Sequence, residues 1–428
     1  MERERMTQEQ TKSRSRRSRR RRGKGRKGGG YHGGGGGHGG HHGRADDTPF
    51  GPQPRIETSG ILELNPDGQG WLRRLSDNFA PDEKDAYVPA ALSRAENLRA
   101  GQEIVGSAEQ VKGRRTIVDI TSVNGMSPSE AQAAPIFKQL TSIDPTERLV
   151  LEGGVPETGD NGAPYNMRVL DLITPLGRGQ RGLITAPPRS GKTILLQQVA
   201  NRVSSEYPDV HLIVLLVDER PEEATHFRRN VKGEVIASTN DEPADRHCRV
   251  TELTIERAKR LVELGKDVVI VMDSLTRLGR AYNVTIRNSG RTLSGGVDSR
   301  TLEKPKAFFG AARNIEDGGS LTILATALIE TGSRMDEVIF EEFKGTGNME
   351  LVLSRELAER RIWPAIDINR SGTRKEELLL PPEVYRKVVM LRRVMSQMHP
   401  VEAMQLLMAK IRETGDNNKF LASFEVRR

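Results

Sequence analysis

Long apolar runs alternate with amphipathic stretches over the second half of the chain. Three runs have the length of buried strands, at 210–217, 267–272 and 321–327, and a shorter one at 182–186 precedes them. A helical pattern lies between two of them, at 254–264. Buried strands that alternate with helices predict a parallel sheet with helices on both faces, and therefore an α/β domain at 177–428.

A different pattern precedes this domain. Five short strand candidates occupy 61–64, 70–73, 85–89, 103–106 and 116–120, and a helical patch occupies 90–97. An Asn-Pro-Asp-Gly turn at 65–68 separates the first two strands. This spacing predicts a small OB-type, cold-shock-like β-barrel at 56–125. A Pro- and Gly-rich connector at 126–176 joins it to the α/β domain.

Two aromatic residues of the predicted barrel, Trp71 and Tyr87, have two interpretations. Exposed aromatic rings on a barrel of this kind stack on the bases of single-stranded nucleic acid. Buried rings would simply belong to the barrel core. The pattern of residues leaves both interpretations open.

The first 55 residues contain few apolar positions. They hold 15 of the 66 Lys and Arg residues against 5 of the 58 Asp and Glu, so the remaining chain carries 51 against 53. A Gly- and His-rich run at 28–43 follows the basic block. Such a segment cannot bury enough apolar surface to fold, so we expect a disordered basic tail. It is either a non-specific arm for RNA or DNA or a solubilising tail.

Composition excludes several classes of protein. The single cysteine, Cys248, excludes an internal disulfide framework or a cysteine zinc cluster and is typical of a reducing compartment. No apolar run reaches 18 residues, the length of a membrane span. We therefore expect a cytoplasmic protein without a membrane partner.

The chemistry centres on the loop between the strand at 182–186 and the helix that follows. The sequence at 186–193 reads Ala-Pro-Pro-Arg-Ser-Gly-Lys-Thr. It is either a P-loop in which Ala186 replaces the first glycine or an ordinary turn between a strand and a helix. Gly191 and the backbone N–H groups of the helix start can bind phosphate, which Lys192 also reaches, and Thr193 can bind Mg²⁺. The predicted nucleotide contacts are Ala186, Pro187, Pro188, Arg189, Ser190, Gly191, Lys192, Thr193 and Ile194.

Two acidic residues follow two of the apolar strands. Asp273 comes directly after the run at 267–272, where a carboxylate that binds Mg²⁺ is expected. Glu219 follows the run at 210–217 and is a candidate to activate water. Each acid can also be a helix N-cap. Because both lie at the carboxyl ends of strands, as the P-loop does, we expect them to lie together.

Six blocks resemble the bacterial transcription termination factor Rho family. They read APPRSGKT at 186–193, DERPEE at 218–223, DSLTRLGRAYN at 273–283, FFGAARN at 308–314, EEFKGTGNMEL at 341–351 and PAIDINRSGTR at 364–374. The resemblance covers about residues 56–424. It implies a RecA-like motor and a homohexameric ring that hydrolyses ATP, moves 5′→3′ along single-stranded RNA and releases transcripts from the RNA polymerase elongation complex. Nus-type elongation factors are further expected partners.

The resemblance also implies individual roles. Lys192 and Thr193 bind phosphate and Mg²⁺, Asp273 supports the metal, and Glu219 activates water. Arg220 senses phosphate, Arg374 is a finger from the adjacent subunit, Arg361 lies near the nucleotide, and Trp363 packs against adenine. The RNA contacts implied for the barrel and for two pore loops are Trp71, Arg73, Tyr87, Arg291, Ser294, Gly295, Gly296, Thr331, Gly332, Ser333 and Arg334.

Two features depart from the family. Gln69 stands where relatives carry an aromatic residue, and Arg114-Arg115-Thr116 also lacks a ring, so we expect weaker or less cytosine-selective binding. The basic tail replaces a small helical subdomain.

Two other classes of protein stay open: a regulator with a silent P-loop, and a subunit of a rotary ATPase. Stimulation of ATP hydrolysis by RNA distinguishes an RNA-stimulated ring ATPase from both of these classes.

Overall fold

The computed structural model describes residues 54–153, 163–286 and 294–424. The tail predicted at 1–55 lies outside this part of the chain except for its last two residues. Arg291, which the resemblance places among the RNA contacts, also lies outside the described residues.

A closed barrel of five strands forms the N-terminal part of the described chain, with the strand order β1-β2-β3-β5-β4. Its core consists of alternate residues such as Leu62, Leu72 and Val88. Because neighbouring residues of a strand point to opposite faces, Trp71 lies outside this core. The OB-type prediction is confirmed. The strands are β1 (Ile56–Leu64), β2 (Gly70–Arg73), β3 (Ala86–Val88), β4 (Glu103–Val111) and β5 (Arg114–Val123), with helix α1 (Ala90–Ala95) after β3.

The larger sheet has five neighbouring pairs of parallel strands at its centre and antiparallel additions at its edges. Its order is β11-β10-β12-β14-β9-β15-β16, with β13 pairing to β14 and β6 to β13. The strands, with the separate pair β7 and β8, are β6 (Ser142–Ile143), β7 (Arg148–Leu149), β8 (Leu176–Gly177), β9 (Arg181–Ala186), β10 (His211–Glu219), β11 (Glu234–Thr239), β12 (Asp267–Asp273), β13 (Arg313–Ile315), β14 (Ser320–Leu328), β15 (Met349–Val352) and β16 (Gly372–Thr373).

Helices cover both faces of this sheet, as the continuous apolar strands predict. Along β12, Val269 and Val271 belong to one apolar cluster, whereas Val268, Ile270 and Met272 belong to the other. The α/β prediction is therefore confirmed. The helices are α2 (Pro128–Ala133), α3 (Ala163–Ile173), α4 (Lys192–Glu206), α5 (Pro221–Asn230), α6 (Ala244–Glu263), α7 (Leu275–Thr285), α8 (Glu303–Phe309), α9 (Arg334–Phe343), α10 (Arg355–Glu359), α11 (Pro382–Met395), α12 (Pro400–Arg412) and α13 (Asn417–Ala422).

The barrel packs directly onto the α/β domain. Phe79, which is fully buried, belongs to the same apolar cluster as strands and helices of the large sheet. Asn78 Oδ1 accepts hydrogen bonds from the Ala237 backbone at 3.0 Å and from Arg228 at 3.1 Å. Arg249 of α6 pairs with Glu63 of β1 at 3.1 Å. Helix α6 begins at Ala244, earlier than the sequence pattern predicts, and Arg249 near its start contacts the barrel.

The stretch at 126–176 contributes to the α/β domain. Met167, Val169 and Leu170 of α3 are buried in one of its two apolar clusters. Asp171, on the same helix, accepts hydrogen bonds from the backbone of Leu151 and Glu152, and burial raises its pKa to about 6. Among the described residues, no helix combines the length and the apolar character needed to cross a membrane.

Candidate functional site

The loop between β9 and α4 has the geometry of an anion site. Gly191 adopts a left-handed backbone conformation with φ of 83°, directly before the helix begins at Lys192. The buried Ser190 hydroxyl donates to the carbonyl oxygen of Pro187 at 2.7 Å and closes the turn. The first N–H groups of α4 have no intrahelical acceptor, so they and the helix dipole favour a bound phosphate. Ala186 ends β9 and is fully buried.

Lys192 and two carboxylates meet at the carboxyl ends of adjacent parallel strands. Glu219 ends β10 and Asp273 ends β12, and both are almost completely buried. Lys192 Nζ lies 2.6 Å from Asp273 and 3.8 Å from Glu219 Oε2. The structure therefore brings together the three side chains that the sequence places in separate blocks. In this arrangement the ammonium group pairs with Asp273 and offsets part of the remaining charge of the two acids.

The surroundings of Glu219 in the folded protein raise the pKa of its carboxyl group and so favour the protonated form. Burial is the main reason that its pKa is raised above the ordinary value of 4.5, and the charge of Asp273 adds to this. Lys192 and Arg277 act in the opposite direction. Arg277 of α7 lies 3.4 Å from Glu219 Oε1 and also donates to the Asp218 carbonyl, so it fixes the position of this acid. A raised pKa is the property expected of a general base that must also release its proton.

The donor set of a magnesium site is present. Asp273 Oδ1 accepts from Lys192 and from Thr326 Oγ1 at 2.8 Å, and its buried Oδ2 lies 2.6 Å from the Lys192 ammonium group. Thr193 lies in the first turn of α4, and its hydroxyl donates to Glu223 at 3.1 Å. Carboxylate and hydroxyl oxygens, together with phosphates of the substrate, are ligands that Mg²⁺ prefers. These residues fit the metal.

An apolar cavity of about 490 Å³ adjoins the P-loop. Trp363 forms one wall, and a Cβ atom at Gly191 would lie only 2.7 Å from its Cζ3 atom, so glycine is required here. Ile194, in the first turn of α4, is 55% exposed although it is apolar. The cavity and the exposed isoleucine suit a flat aromatic base.

Three arginines that the sequence singles out occupy different places. Arg220 is the exposed N-cap residue of α5, directly after Glu219. Arg361 is exposed, with φ of 59°, two residues before Trp363. Arg374 is exposed, and its backbone N–H donates to the carbonyl of Asn348 at 2.8 Å.

The position of Arg374 separates it from the P-loop of its own chain. Asn348 Oδ1 accepts from the backbone N–H of Arg181, the first residue of β9, at 2.8 Å. Arg374 therefore lies near the amino end of β9, whereas the P-loop follows its carboxyl end. A six-residue strand spans about 17 Å, so the two ends of β9 are far apart.

Trp71 and Tyr87 form a surface platform on the barrel. They are directly opposite each other on β2 and β3, half-buried, with ring centroids 5.8 Å apart. The Arg73 guanidinium lies 5.4 Å from the Trp71 ring and pairs with the buried Asp85 at 2.7 Å. The Arg114 guanidinium lies 4.9 Å from the Tyr87 ring. The register of β2 and β3 thus favours the base-stacking interpretation of both rings.

Two loops at 294–298 and 331–334 contact each other and are held by α7. Gly295 approaches the backbone of Arg334 so closely that a Cβ atom would lie 2.8 Å from its carbonyl oxygen. Asn283 donates to the Gly296 carbonyl at 3.1 Å. The Arg280 guanidinium makes two hydrogen bonds to Asp336, at 2.7 and 2.6 Å. The implied RNA contacts Ser294, Gly295, Gly296, Thr331, Gly332, Ser333 and Arg334 all lie on these two loops or at the start of α9.

Several residues of the site are absent from the sequence-based candidates. Arg277, Glu223 and Thr326 contact the predicted acids or Thr193, and Arg280 and Asn283 hold the loops. Arg277, Arg280 and Asn283 lie in the block at 273–283, so their spacing of three residues on one helix was a usable signal. The sequence around Thr326 gave no such signal, because the contact of Thr326 with Asp273 depends on the pairing of β12 with β14.

The fold and the site define a class of protein: a RecA-like P-loop ATPase joined to an OB-type RNA-binding barrel. Residues 166–373 match the nucleotide-binding domain of the ATP synthase alpha/beta family, and residues 58–129 match the RNA-binding domain of Rho termination factor. Two solved structures share the fold at TM-score 0.51. They are an ATPase from the type III secretion system of pathogenic bacteria (23% identity, 61% of this chain, 72% of the other) and the ATP synthase subunit NeqB of Nanoarcheaum equitans (17%, 60%, 63%).

Curated relatives extend the match over most of the chain. The transcription termination factor Rho of Pseudomonas aeruginosa is 51% identical over 373 residues, which cover 86% of this chain and 88% of the relative. That of Haemophilus influenzae is 52% identical, with 86% of each chain covered. The chain therefore belongs to the transcription termination factor Rho family. It is an RNA-binding, ATP-dependent helicase that acts in transcription termination.

Proposed function

We propose that this chain is the subunit of a homohexameric ring that hydrolyses ATP with Mg²⁺, moves 5′→3′ along nascent RNA and releases it from the RNA polymerase elongation complex. The observation that carries the proposal is the buried Lys192, Glu219 and Asp273 cluster beside the P-loop, in a chain whose barrel presents Trp71 and Tyr87. The residues at 56–125 form the primary RNA-binding unit and those at 177–428 the motor, joined through 126–176. Nus-type elongation factors are proposed as auxiliary partners.

Hydrolysis needs an activated water and a stabilised phosphate. Glu219 accepts the proton of the attacking water, for which its raised pKa is suited. Lys192 leaves Asp273 and binds the outer phosphates, and the P-loop backbone from Ala186 to Ile194 surrounds the phosphate chain. Asp273 and Thr193 hold Mg²⁺, which neutralises charge on the phosphates when bound. Arg220 and Arg361 contact phosphate and nucleotide from the loop edges, and Trp363 packs against the base.

The ring is proposed because an arginine that hydrolysis requires does not lie at the P-loop of its own chain. Phosphoryl transfer in this class of ATPase uses an arginine that stabilises charge in the transition state. Arg374 is exposed at the amino end of β9, the wrong end of the sheet for its own P-loop. A neighbouring subunit in a ring can place its Arg374 at the P-loop of the next. Active sites then lie between subunits.

RNA is bound in two places. Trp71 and Tyr87 stack on bases, and Arg73 supports the Trp71 ring. The loops at 294–298 and 331–334 grip the backbone in the ring centre, with Arg334 as the exposed cation. Arginine at this position contacts phosphate as a planar fork rather than as a point charge.

The test of the function is ATP hydrolysis with Mg²⁺, with and without poly(C), poly(U) and a mixed-sequence RNA. We expect RNA to stimulate hydrolysis, and the Lys192→Ala variant to remove the stimulated rate. A protein that hydrolyses nothing with any RNA would instead be a regulator with a silent P-loop. Hydrolysis that is indifferent to RNA would indicate a motor acting on another partner, as a rotary-type subunit does.

Gln69 lowers the selectivity of the barrel for cytosine. Its Oε1 accepts from the Tyr87 hydroxyl at 3.0 Å and its Nε2 donates to Asp67 at 2.8 Å, so this side chain orients Tyr87 but adds no ring. We expect short oligo-C and oligo-A to bind with similar affinity. Gln69→Phe should tighten oligo-C binding by about 1–3 kcal/mol, the contribution of one stacked ring. Fluorescence anisotropy without nucleotide measures this.

The control for the Gln69 prediction is Gln69→Ala, which removes the side-chain hydrogen bonds to Tyr87 and Asp67 but introduces no ring. We expect it to bind oligo-C no more tightly than the wild type does. A wild-type protein that already binds oligo-C far more tightly than oligo-A would contradict the prediction.

The basic segment at 1–55 supplies affinity that does not depend on RNA sequence. Each phosphate that it neutralises contributes about 0.7 to the slope of log affinity against log salt concentration for a single strand. Replacing the segment with a neutral Gly/Ser segment of equal length should weaken RNA binding and flatten this slope. The measurement is RNA affinity at several salt concentrations, and an unchanged slope would rule out the role.

A further inference from the structure

The loop at 367–374, called the finger loop from here on, is bonded to an arginine of the C-terminal helix α11. The Arg392 guanidinium donates through Nη1 to the carbonyl of Ser371 at 2.9 Å and to that of Ile368 at 3.4 Å. Through Nη2 it donates to the carbonyl of Ile173, the last residue of α3. A single side chain therefore joins the finger loop, the end of α3 and α11.

Further hydrogen bonds fix the backbone of the finger loop. Asp367 Oδ1 accepts from two backbone N–H groups of the same turn, both at 3.1 Å. Ser371 Oγ accepts from the backbone N–H of Val352 in β15 at 2.9 Å. Thr373 Oγ1 donates to the carbonyl of Pro175, just after α3, at 2.8 Å. The residue that follows Thr373 is the proposed finger, so these contacts set where its backbone begins.

The finger loop has Arg374 on one side and Arg392 on the other. Arg370 and Arg374 line a cavity of about 310 Å³ together with residues of the segment at 345–350. Arg392 is not among the described residues that line this cavity, and it reaches the loop from α11. Strand β16 pairs with β15 through only two pairs of residues. So short a pairing is a weak constraint by itself, and the loop depends on its other bonds.

An arginine suits this position better than any other side chain. Its planar guanidinium has five N–H donors in a fixed fork, which can reach carbonyl oxygens of separate segments at once. The last carbonyls of a helix have no intrahelical partner and favour a cation, as Ile173 of α3 shows. Glu376 Oε2 lies 3.9 Å from Nη2 and adds negative charge. The Arg392 side chain is only 22% exposed, so water compensates little for the loss of these bonds.

We infer that Arg392 is a positioning residue for the arginine finger: it holds the finger loop where Arg374 of one subunit reaches the P-loop of the next. The inference rests on the proposed function, in which Arg374 acts between subunits. A displacement of about 1 Å caused by a change far from the chemistry can lower a rate by about 10²-fold. Arg392 should therefore govern the rate of hydrolysis in the neighbouring site and leave ATP binding by its own chain unchanged.

The first experiment separates the rate of hydrolysis from ATP binding. Arg392→Met keeps the length of the apolar stem and removes every donor. We expect its kcat for RNA-stimulated hydrolysis to fall by about 10²-fold, with an unchanged Kd for ATP. Arg392→Lys keeps the charge without the fork and should recover only part of the rate. Arg393→Met, the same change at the next and exposed residue of α11, is the matched control and should keep the wild-type rate.

The second experiment mixes variants of the full-length chain, because general damage to a subunit and a misplaced finger differ there. Arg392→Met retains its P-loop, and Lys192→Ala retains its finger loop, so their mixture should recover activity as a mixture of Arg374→Ala with Lys192→Ala does. A mixture of Arg392→Met with Arg374→Ala should gain nothing, because neither subunit supplies a finger in place. The double variant Arg392→Met/Arg374→Ala should be no slower than Arg374→Ala, since both changes remove the same contribution.

A wild-type rate in Arg392→Met would overturn the inference. So would a slow Arg392→Met that gains nothing from Lys192→Ala while Arg374→Ala does, because the defect would then lie in the whole subunit. If Arg374→Ala with Lys192→Ala gains nothing either, the finger between subunits is refuted, and this inference falls with it. Thermal unfolding of each variant identifies a misfolded Arg392→Met, in which case the same rates and mixtures measured with Arg392→Lys decide.

Discussion

Replacing Glu219 by glutamine is expected to lower kcat for RNA-stimulated ATP hydrolysis by about 10²- to 10⁴-fold, the usual contribution of a general base. The amide keeps the shape of the side chain and its contact with Arg277, so the Kd for ATP should stay within a few-fold of the wild type. Single-turnover hydrolysis and nucleotide titration measure the two quantities. Glu222→Gln, a change of the same size at an exposed position in the first turn of α5, is the matched control.

The pH profile gives an independent check on the role of Glu219. Burial and the charge of Asp273 raise its pKa above the ordinary glutamate value, and a general base works only when it is deprotonated. As the pH falls, kcat/KM should therefore decline at a higher pH than an ordinary glutamate would produce. The Glu219→Gln variant should lack this decline. A variant that keeps both the rate and the acid limb would assign the water-activating role to another group.

Replacing Arg374 by alanine is expected to reduce hydrolysis by about 10³- to 10⁵-fold, the contribution of an arginine finger, while each chain still binds ATP. Lys192→Ala should also be inactive, because its P-loop cannot hold the outer phosphates. Mixing the two inactive proteins should restore part of the activity. A subunit with an intact P-loop and no finger can then lie beside one with an intact finger and a defective P-loop.

This restoration distinguishes a finger that acts between subunits from one that acts within a chain. If Arg374 served its own P-loop, no mixture of the two variants would contain a complete site, and the mixture would stay inactive. Lys375→Ala is the matched control, because Lys375 neighbours Arg374 and its side chain makes an exposed pair with Asp144. It should retain nearly full activity, since exposed ion pairs contribute little.

The sequence predicts the parts of the fold that depend on local pattern. The apolar runs before Glu219 and Asp273 are long and continuous, so both parallel strands and the acids at their ends follow directly from them. The local pattern does not show whether the rings of Trp71 and Tyr87 are exposed or belong to the barrel core. Their exposure depends on the register of β2 and β3, which is a pairing between segments rather than a property of either one.

Long-range contacts explain the other differences. The first turns of α6 are rich in polar residues and gave no clear helical signal, but Arg249 there pairs with Glu63 of the barrel. Asn166 of α3 lines the cavity beside the P-loop, but no motif surrounds it in the sequence, so its position there follows only from the packing of α3. The role proposed for Arg374 requires a second subunit, so no pattern within one chain can locate it.

Helix α7 connects the two halves of the proposed mechanism. It begins immediately after Asp273 and Ser274, and farther along it Arg280 and Asn283 hold the two proposed RNA loops. An 11-residue helix is about 16 Å long and nearly rigid, so its two ends move together. Thermodynamic linkage then makes the coupling reciprocal: if a nucleotide that moves α7 changes the affinity of the loops for RNA by some factor, RNA in those loops must change nucleotide affinity by the same factor.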